Sequence, residues 1–329
     1  MKERFIVTGG AGFIGSNLVK AINDRGCENI IVVDHFSEPT KRDNLDKLRF
    51  AEYIDKADFR TLLHEQRVPK VSGVFHLGAC SSTMETNAPY LQDNNYQYSR
   101  DLCEWSLRSG VRFVYASSAA TYGDGTKGYS DEDALTPLLS PLNMYGHSKH
   151  MFDLWALETC ALQRIAGLKY FNVYGPGENH KGEMRSLVNK AYTQIQRKGE
   201  IQLFKSHRPE YRNGEQGRDF VYVDDAVAMT LFLYDHPATS GLFNCGTGVA
   251  RTWLDLAQAL FAAMDRTPQI TFIDMPSEIR DKYQYHTQAE MAKIRRAGCP
   301  THFRDIEEGV QRYVREYLMK SPQNWKGRE

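Results

Sequence analysis

The chain lacks the features that would mark several protein classes. Its six cysteines, Cys27, Cys80, Cys103, Cys160, Cys245 and Cys299, are scattered and never form Cys-x-x-Cys, and His-Glu-x-x-His is absent. A disulfide scaffold and a zinc site are therefore not expected, and a reduced, cytoplasmic protein is. No apolar run approaches the ~20 residues of a membrane span. Lysine plus arginine equals aspartate plus glutamate, 41 each, so no charge excess points to nucleic acid or a membrane surface. Residues Met1 to Val7 lead straight into an apolar strand without a signal-peptide pattern. There is no internal repeat or low-complexity linker. At 329 residues the chain has room for one large domain or two closely joined ones.

What is present begins with a strand, Arg4 to Thr8, followed by Gly9-Gly-Ala-Gly-Phe-Ile-Gly15 and a helix from about Ser16 to Asp24. Gly10-x-Gly12-x-x-Gly15 fits the dinucleotide fingerprint. Such glycines allow a tight turn and let the backbone approach a pyrophosphate, which the helix N-terminus then faces. A second strand, Ile30 to Val33, ends at Asp34, 19 residues beyond Gly15, where a carboxylate can bond ribose hydroxyls. That carboxylate favours NAD, whereas Lys41, Arg42 and Lys56 form a cationic group suited to the 2′-phosphate of NADP. The residues leave both cofactors open.

Val74 to Leu77 reads as a strand ending in Gly78-Ala-Cys-Ser-Ser-Thr83, at the sheet edge where open α/β folds place ligands. Cys80 reads as a small buried residue, since no partner base lies near it in sequence. Tyr90 to Arg108 suits one helix, with Asn94 and Asn95 polar within it. Arg112 to Ala116 is the next strand. Ser118, just beyond it, is placed to bond a reacting oxygen. Asp124 to Pro141 reads as a loop.

The chain contains a single Tyr-x-x-x-Lys, Tyr145 and Lys149, at the start of a helix running to about Gln163. Residues four apart share a helix face. A nearby ammonium favours phenolate, so this pairing makes a tyrosine a usable base. Downstream, Asn172 ends a strand from Gly167, His180 and Lys181 lie on a Gly-rich loop, and Arg218 suits a diphosphate or an ion pair with Asp219. Phe220 to Val223 reads as a strand, Asp224 or Asp225 as the cap of a helix Ala226 to Tyr234, and Gly246-Thr-Gly248 as a turn before another helix. Arg304 to Met319 reads as a helix and residues 321–329 as a frayed tail.

The glycine fingerprint, Ser118 and the Tyr145/Lys149 pair resemble the extended short-chain dehydrogenase/reductase family, nucleotide-sugar epimerase group. Within it the chain is similar to the enzymes that epimerise ADP-heptose at C6. The more specific stretches are Gly78-Ala-Cys-Ser-Ser-Thr83, Asp93-Asn-Asn-Tyr-Gln-Tyr-Ser99 and His180-Lys-Gly182, and the likeness runs to about Tyr317. The resemblance implies Tyr145, Lys181 and Ser118 as catalytic, with Lys149 assisting. It implies Gly9, Gly12, Phe13, Ile14, Gly15, Asp34, His35, Lys41, Lys56, Leu77, Gly78, Ala79, Cys80, Ser81, Asn94, Tyr145, Lys149, Val173 and Lys181 at a tightly held, recycled NADP. It places Asn172, Glu183, Lys190, Phe204, Lys205, Ser206, His207, Arg218 and Tyr283 at an ADP-heptose substrate. It also implies a homo-oligomer, a pentamer, and no metal. The chain departs from the family pattern at His35, Leu77 and Glu183, and in the long stretch Phe204 to Gly217. Which of Arg208, Arg212 and Arg218 reaches the diphosphate stays open.

The expected fold is α/β, a doubly wound, mainly parallel sheet with a smaller α/β substrate domain. Residues 1–170 would form the cofactor domain, with segments near 218–245 and 276–290 returning to it. Residues 171–217, 246–275 and 291–320 would bind substrate. The expected reaction is oxidation at C6 followed by re-reduction on the other face, using two bases. A 4,6-dehydratase is the rival. Related dehydratases carry Asp-Glu after the serine, whereas Ala119-Ala120 stand here. A non-catalytic nucleotide-binding regulator on this fold is the third reading, and the intact Ser118, Tyr145 and Lys149 speak against it.

Overall fold

The computed structural model describes residues 3–36, 39–280 and 283–320. The tail expected at 321–329 lies outside the described residues. Seven strands form the main sheet: β1 (Phe5–Thr8), β2 (Ile30–Asp34), β3 (Glu52–Asp55), β4 (Gly73–His76), β5 (Arg112–Ser118), β6 (Ala166–Tyr170) and, from much later in the chain, β10 (Gly241–Cys245). Their order is β3-β2-β1-β4-β5-β6-β10 and every pairing is parallel. The doubly wound sheet expected from the sequence is therefore present. The strand order reverses between β1 and β4, the switch point at which such sheets leave a crevice.

Strand side chains alternate between two cores, as the two-residue period requires. Phe5, Val7, Ile30, Val32 and Val114 face a core shared with the helices Phe13–Asp24 and Val223–Asp235. Ile6, Ile31, Val33, Val74 and Phe113 face one shared with Lys56–His64, Tyr98–Arg108 and Met144–Glu158. Burial on both faces explains why these strands read as unbroken apolar runs.

The second half builds a separate core from Val188, Ile195, Leu203, Leu260, Phe261 and Val310. Two small sheets border it. One pairs β7 (Asn172–Tyr174), β9 (Gly217–Tyr222) and β11 (Ala250–Thr252); the other pairs β8 (Ile201–Phe204) with β12 (Ile270–Ile273).

Several boundaries differ from the expectations. The first helix starts at Phe13, inside the glycine fingerprint. The expected helix Tyr90 to Arg108 is interrupted by a wide i→i+5 turn over Gln92–Gln97. The helix carrying Tyr145 stops at Glu158, where Cys160 takes a left-handed φ of 58°. Asn172 does not end β6; it opens β7 in another sheet. The helix after β9 starts at Val223 with Tyr222 before it and no side-chain cap. Asp225 instead accepts from the backbone N–H of Arg304 at 2.8 Å, tying down the C-terminal segment.

Candidate active site

One cavity of about 910 Å³ opens at the carboxyl ends of the main strands. Gly9 (φ +69°) turns the chain out of β1, and a Cβ there would meet Gly78 N at 2.7 Å. A Cβ on Gly15 would meet Gly9 O at 2.0 Å. The two glycines thus let the turn, the helix and the 77–81 loop pack backbone to backbone. No side chain caps the helix at Gly12, so its first-turn N–H groups remain available to an anion. Phe13, Ile14 and the glycines line the cavity there. These residues fit a dinucleotide.

Asp34, at the end of β2, holds its neighbours in place. Its carboxylate accepts from Ala11 N at 2.8 Å and His35 N at 2.7 Å, and forms an ion pair with Lys41. Lys56 donates to Asn94 Oδ1 at 2.7 Å; burial and the Arg60 charge lower its proton affinity. Both lysines line the cavity beside His35. The 77–81 loop is clamped by Asn95, which exchanges hydrogen bonds with the Cys80 backbone and donates to Ser148 Oγ at 2.9 Å. Ser148 in turn donates to Tyr145 O, so one amide ties this loop to the helix of Tyr145. Cys80 is half-buried on the cavity wall rather than sunk in the core.

His76 sits beneath, fully buried, and burial pushes its imidazole pKa down to about 3. Ser99 Oγ donates to Asn95 O, so it accepts from His76 Nε2–H. The Nδ1 atom then accepts from the Thr8 hydroxyl, which itself accepts from Gly78 N. One neutral tautomer satisfies the whole chain.

Asn143 caps the helix Met144–Glu158, accepting from Gly146 N at 2.8 Å. This places Tyr145 in the first turn and Lys149 one turn on. Ser118 ends β5, and its Oγ accepts from Ala120 N at 3.1 Å. All three line the cavity. Burial raises the proton affinity of Tyr145, and a hydrogen bond with Ser118 opposes that. Lys149 gives its ammonium to Ala116 O at 2.8 Å; burial lowers its pKa to about 8. The expected depression of the Tyr145 pKa by Lys149 is thus not what sets the phenol here.

The second half closes the cavity with Asn172, Val173, Lys181, Lys190, Phe204 and Tyr283. The Lys181 ammonium lies 5.4 Å from the centre of the Phe13 ring. Burial lowers its proton affinity, against the pull of Glu178. Of the other residues considered for substrate, Glu183, Lys205, Ser206, His207 and Arg218 do not line this wall. Glu183 is exposed, and its carbonyl accepts from Lys190 Nζ at 3.0 Å. Lys205 pairs with Asp274 at 3.3 Å, Ser206 Oγ donates to Arg208 O, and His207 N donates to Tyr285 OH. Arg218 is buried, donates to Gly217 O and Gln284 O, and lies over the Tyr283 and Trp253 rings. Arg208 lies 4.6 Å over Tyr285, and Arg212 is exposed.

The wall also holds Arg185, Gln202 and Trp253, which the sequence reading did not single out. Trp253 donates from Nε1 to Tyr283 OH at 2.8 Å. Its helix is announced by a capping box, Thr252 and Asp255, but nothing local ties that helix to the cavity. Among the described residues, no cluster of three or more His, Cys, Asp or Glu could hold a metal. No described helix is long and apolar enough to cross a membrane.

The chain is similar over nearly its whole length to several named proteins. It is 52% identical, over 95% of its length and 98% of the relative's, to the ADP-L-glycero-D-manno-heptose-6-epimerase of Nitratidesulfovibrio vulgaris strain DP4. The same-named protein of Fusobacterium nucleatum is 41% identical over 96% of this chain and 98% of its own. Among solved structures, the Helicobacter pylori ADP-L-glycero-D-manno-heptose-6-epimerase superposes with a TM-score of 0.79 at 28% identity, covering 95% of this chain and 96% of that one. The profile of the NAD dependent epimerase/dehydratase family matches residues 5–246, from β1 through the last strand of the main sheet. With its glycine turn, its Ser118–Tyr145–Lys149 group and relatives that span it end to end, the chain belongs to the NAD dependent epimerase/dehydratase family.

Proposed function

We propose that this protein is an isomerase that interconverts ADP-D-glycero- and ADP-L-glycero-D-manno-heptose by reversible oxidation at C6. The observation that carries the reading is that Tyr145, Ser118, Lys149 and Lys181 line one cavity, in a chain 52% identical to a protein of that name. Bound NADP supplies a reversible hydride acceptor. The uncapped turn at Gly12 would hold its pyrophosphate, and Lys41 and Lys56 its 2′-phosphate. Charge compensation of Asp34 by Lys41 supports NADP over NAD.

Tyr145 takes the proton of the C6 hydroxyl while Ser118 bonds the oxygen. Inversion requires the ketone to present its other face, by rotation about C5–C6, which moves its oxygen. A second group must then exchange the proton. Lys181, its proton affinity lowered by burial, suits that role. Asn172, Lys190, Phe204 and Tyr283 would contact the substrate, with Arg218 supporting Tyr283 from behind. The first half would serve as cofactor domain and the second as substrate domain, in a cytoplasmic homo-oligomer.

Dehydration is the rival chemistry, and it needs a carboxylic acid at the sugar. Among the described residues, Asp34 is the one carboxylate on the cavity wall, and it is engaged by Lys41. Incubation with ADP-D-glycero-D-manno-heptose, followed by NMR of the C6 proton, tests the proposal. A mixture of C6 epimers without added cofactor is expected. Loss of water, or an unchanged sugar, overturns it.

A further inference from the structure

Behind the cavity wall lie two charged groups that the chemistry above does not use. Asp153 is 0% exposed and Lys169, on β6, is 1% exposed. Their charged atoms are 3.9 Å apart. Removing two ions from water is costly, and an apolar pair at such a place is often as stable or more so. Their partners indicate what they hold.

Asp153 accepts from Ser117 Oγ at 2.6 Å and Tyr115 OH at 2.8 Å, both on β5. Lys169 donates to Thr121 Oγ1 at 3.0 Å, and Thr121 donates to Ser118 O at 2.8 Å. The backbone is thus pinned on both sides of Ser118, through the Ser117 side chain and through the Ser118 carbonyl. Asp153 also sits four residues after Lys149 and eight after Tyr145, on the same helix face. Lys149 grips Ala116 O, the next link of the same strand.

We propose that Asp153 and Lys169 are a positioning pair that fixes Ser118 on β5 against Tyr145 and Lys149 on the neighbouring helix. Neither touches substrate; they act through Ser117, Thr121 and Lys149. A second effect follows from charge. Asp153 favours the ammonium form of Lys149, which burial disfavours. The inference rests on the Ser118–Tyr145–Lys149 reading of the site.

Asp153→Asn removes the charge with little change of shape. Asp153→Asn/Lys169→Met removes both charges, does not strand the Lys169 ammonium without its partner, and guards against a single variant that does not fold. Two readouts are taken on cofactor-loaded protein of native circular dichroism. The first is kcat and KM for ADP-D-glycero-D-manno-heptose. The second is the 15N NMR titration of the Lys149 ammonium, which needs no substrate. A fall in kcat on the order of 100-fold, the cost of an ångström-scale misplacement, is expected with KM nearly unchanged. The Lys149 titration should move to lower pH in both variants. Wild-type kcat and an unmoved titration in a folded variant overturn the proposal. Lost turnover with an unmoved titration also overturns it, because a merely structural role would do the same. If wild-type protein fails to turn over the heptose, the proposed function falls, while the Lys149 titration still decides this inference.

Discussion

Lys149 and Ala116 join the helix Met144–Glu158 to β5 through a buried ammonium–carbonyl hydrogen bond of 2.8 Å. The bond holds a charge where water is excluded, and that has a cost. Burial lowers the Lys149 pKa from 10.5 to about 8. In the unfolded chain the group keeps its proton to higher pH. Between these values the unfolded state binds more protons, so stability from this group rises with pH. Below pH 8 the full penalty of burying the ammonium applies, about 3 kcal/mol by the shift alone. Lys149→Met removes the penalty but loses a charged hydrogen bond of about 1.5–3 kcal/mol. The variant should be inactive, and its stability relative to wild type should be highest at pH 7 and fall by about 2 kcal/mol toward pH 10. Unfolding free energies at the two pH values check this; a difference that does not change with pH contradicts it.

The Asp34–Lys41 ion pair bears on cofactor choice. Lys41→Ala and Lys56→Ala should each weaken NADP by about 1 kcal/mol, roughly fivefold, and NAD much less. Lys41→Ala frees the Asp34 carboxylate, so NAD should hold or gain slightly. Calorimetric titration of cofactor-stripped protein reads both constants. Equal weakening of the two would sink the assignment, as would purified protein carrying NAD alone.

Tyr145 and Lys181 come from different halves of the chain to the same cavity. Tyr145→Phe and Lys181→Met should each abolish net epimerisation and keep NADP bound. They should differ in which epimer they still oxidise or reduce, seen by absorbance at the reduced nicotinamide band. Near-normal epimerisation by Lys181→Met would return Lys181 to an ordinary loop lysine.

Gly146 lets the helix of Tyr145 approach the Ser118 turn. A Cβ there would lie 2.8 Å from Ala120 O and 3.1 Å from the Pro141 side chain. Gly146→Ala should therefore push Ser118 and Tyr145 apart and cut kcat, by up to about 100-fold, more than it raises KM. Unaltered kcat would mean the turn yields freely.

A homo-oligomer is expected, and light scattering tests it. A stable species of 37.6 kDa, the mass of one chain, would count against the expected assembly.

Much of this site was legible because its chemistry is local in sequence. The fingerprint from Gly9 to Gly15, Asp34 after an apolar strand, and Tyr145 four before Lys149 each fit within one strand, turn or helix. The doubly wound sheet follows from strands buried on both faces, and β1, β2, β4 and β5 were all visible as apolar runs. The rest depends on contacts far apart in sequence. Asn172 looked like the end of β6 because apolar residues run up to it, but β9 captures it for another sheet. Asp225 looked like a cap, but Arg304 claims it. Trp253 and Arg185 have no pattern that could place them at the cavity. The wide turn at Gln92–Gln97 leaves no mark in the sequence, since inward positions such as Leu91, Asn95 and Tyr98 keep an ordinary helical spacing.

The pairing of β7 with β9 also bears on how the protein is made. Nearly every residue proposed to hold the cofactor is encoded before position 182, so a ribosome delivers that part of the cavity wall early. Val173 and Asn172, however, lie on a strand whose hydrogen-bonding partner is Gly217–Tyr222. Until that partner leaves the exit tunnel, one edge of the wall has nothing to pair with. A nascent chain released short of residue 217 would carry the glycine turn, Asp34, Tyr145 and Lys149 and still lack a complete cavity wall.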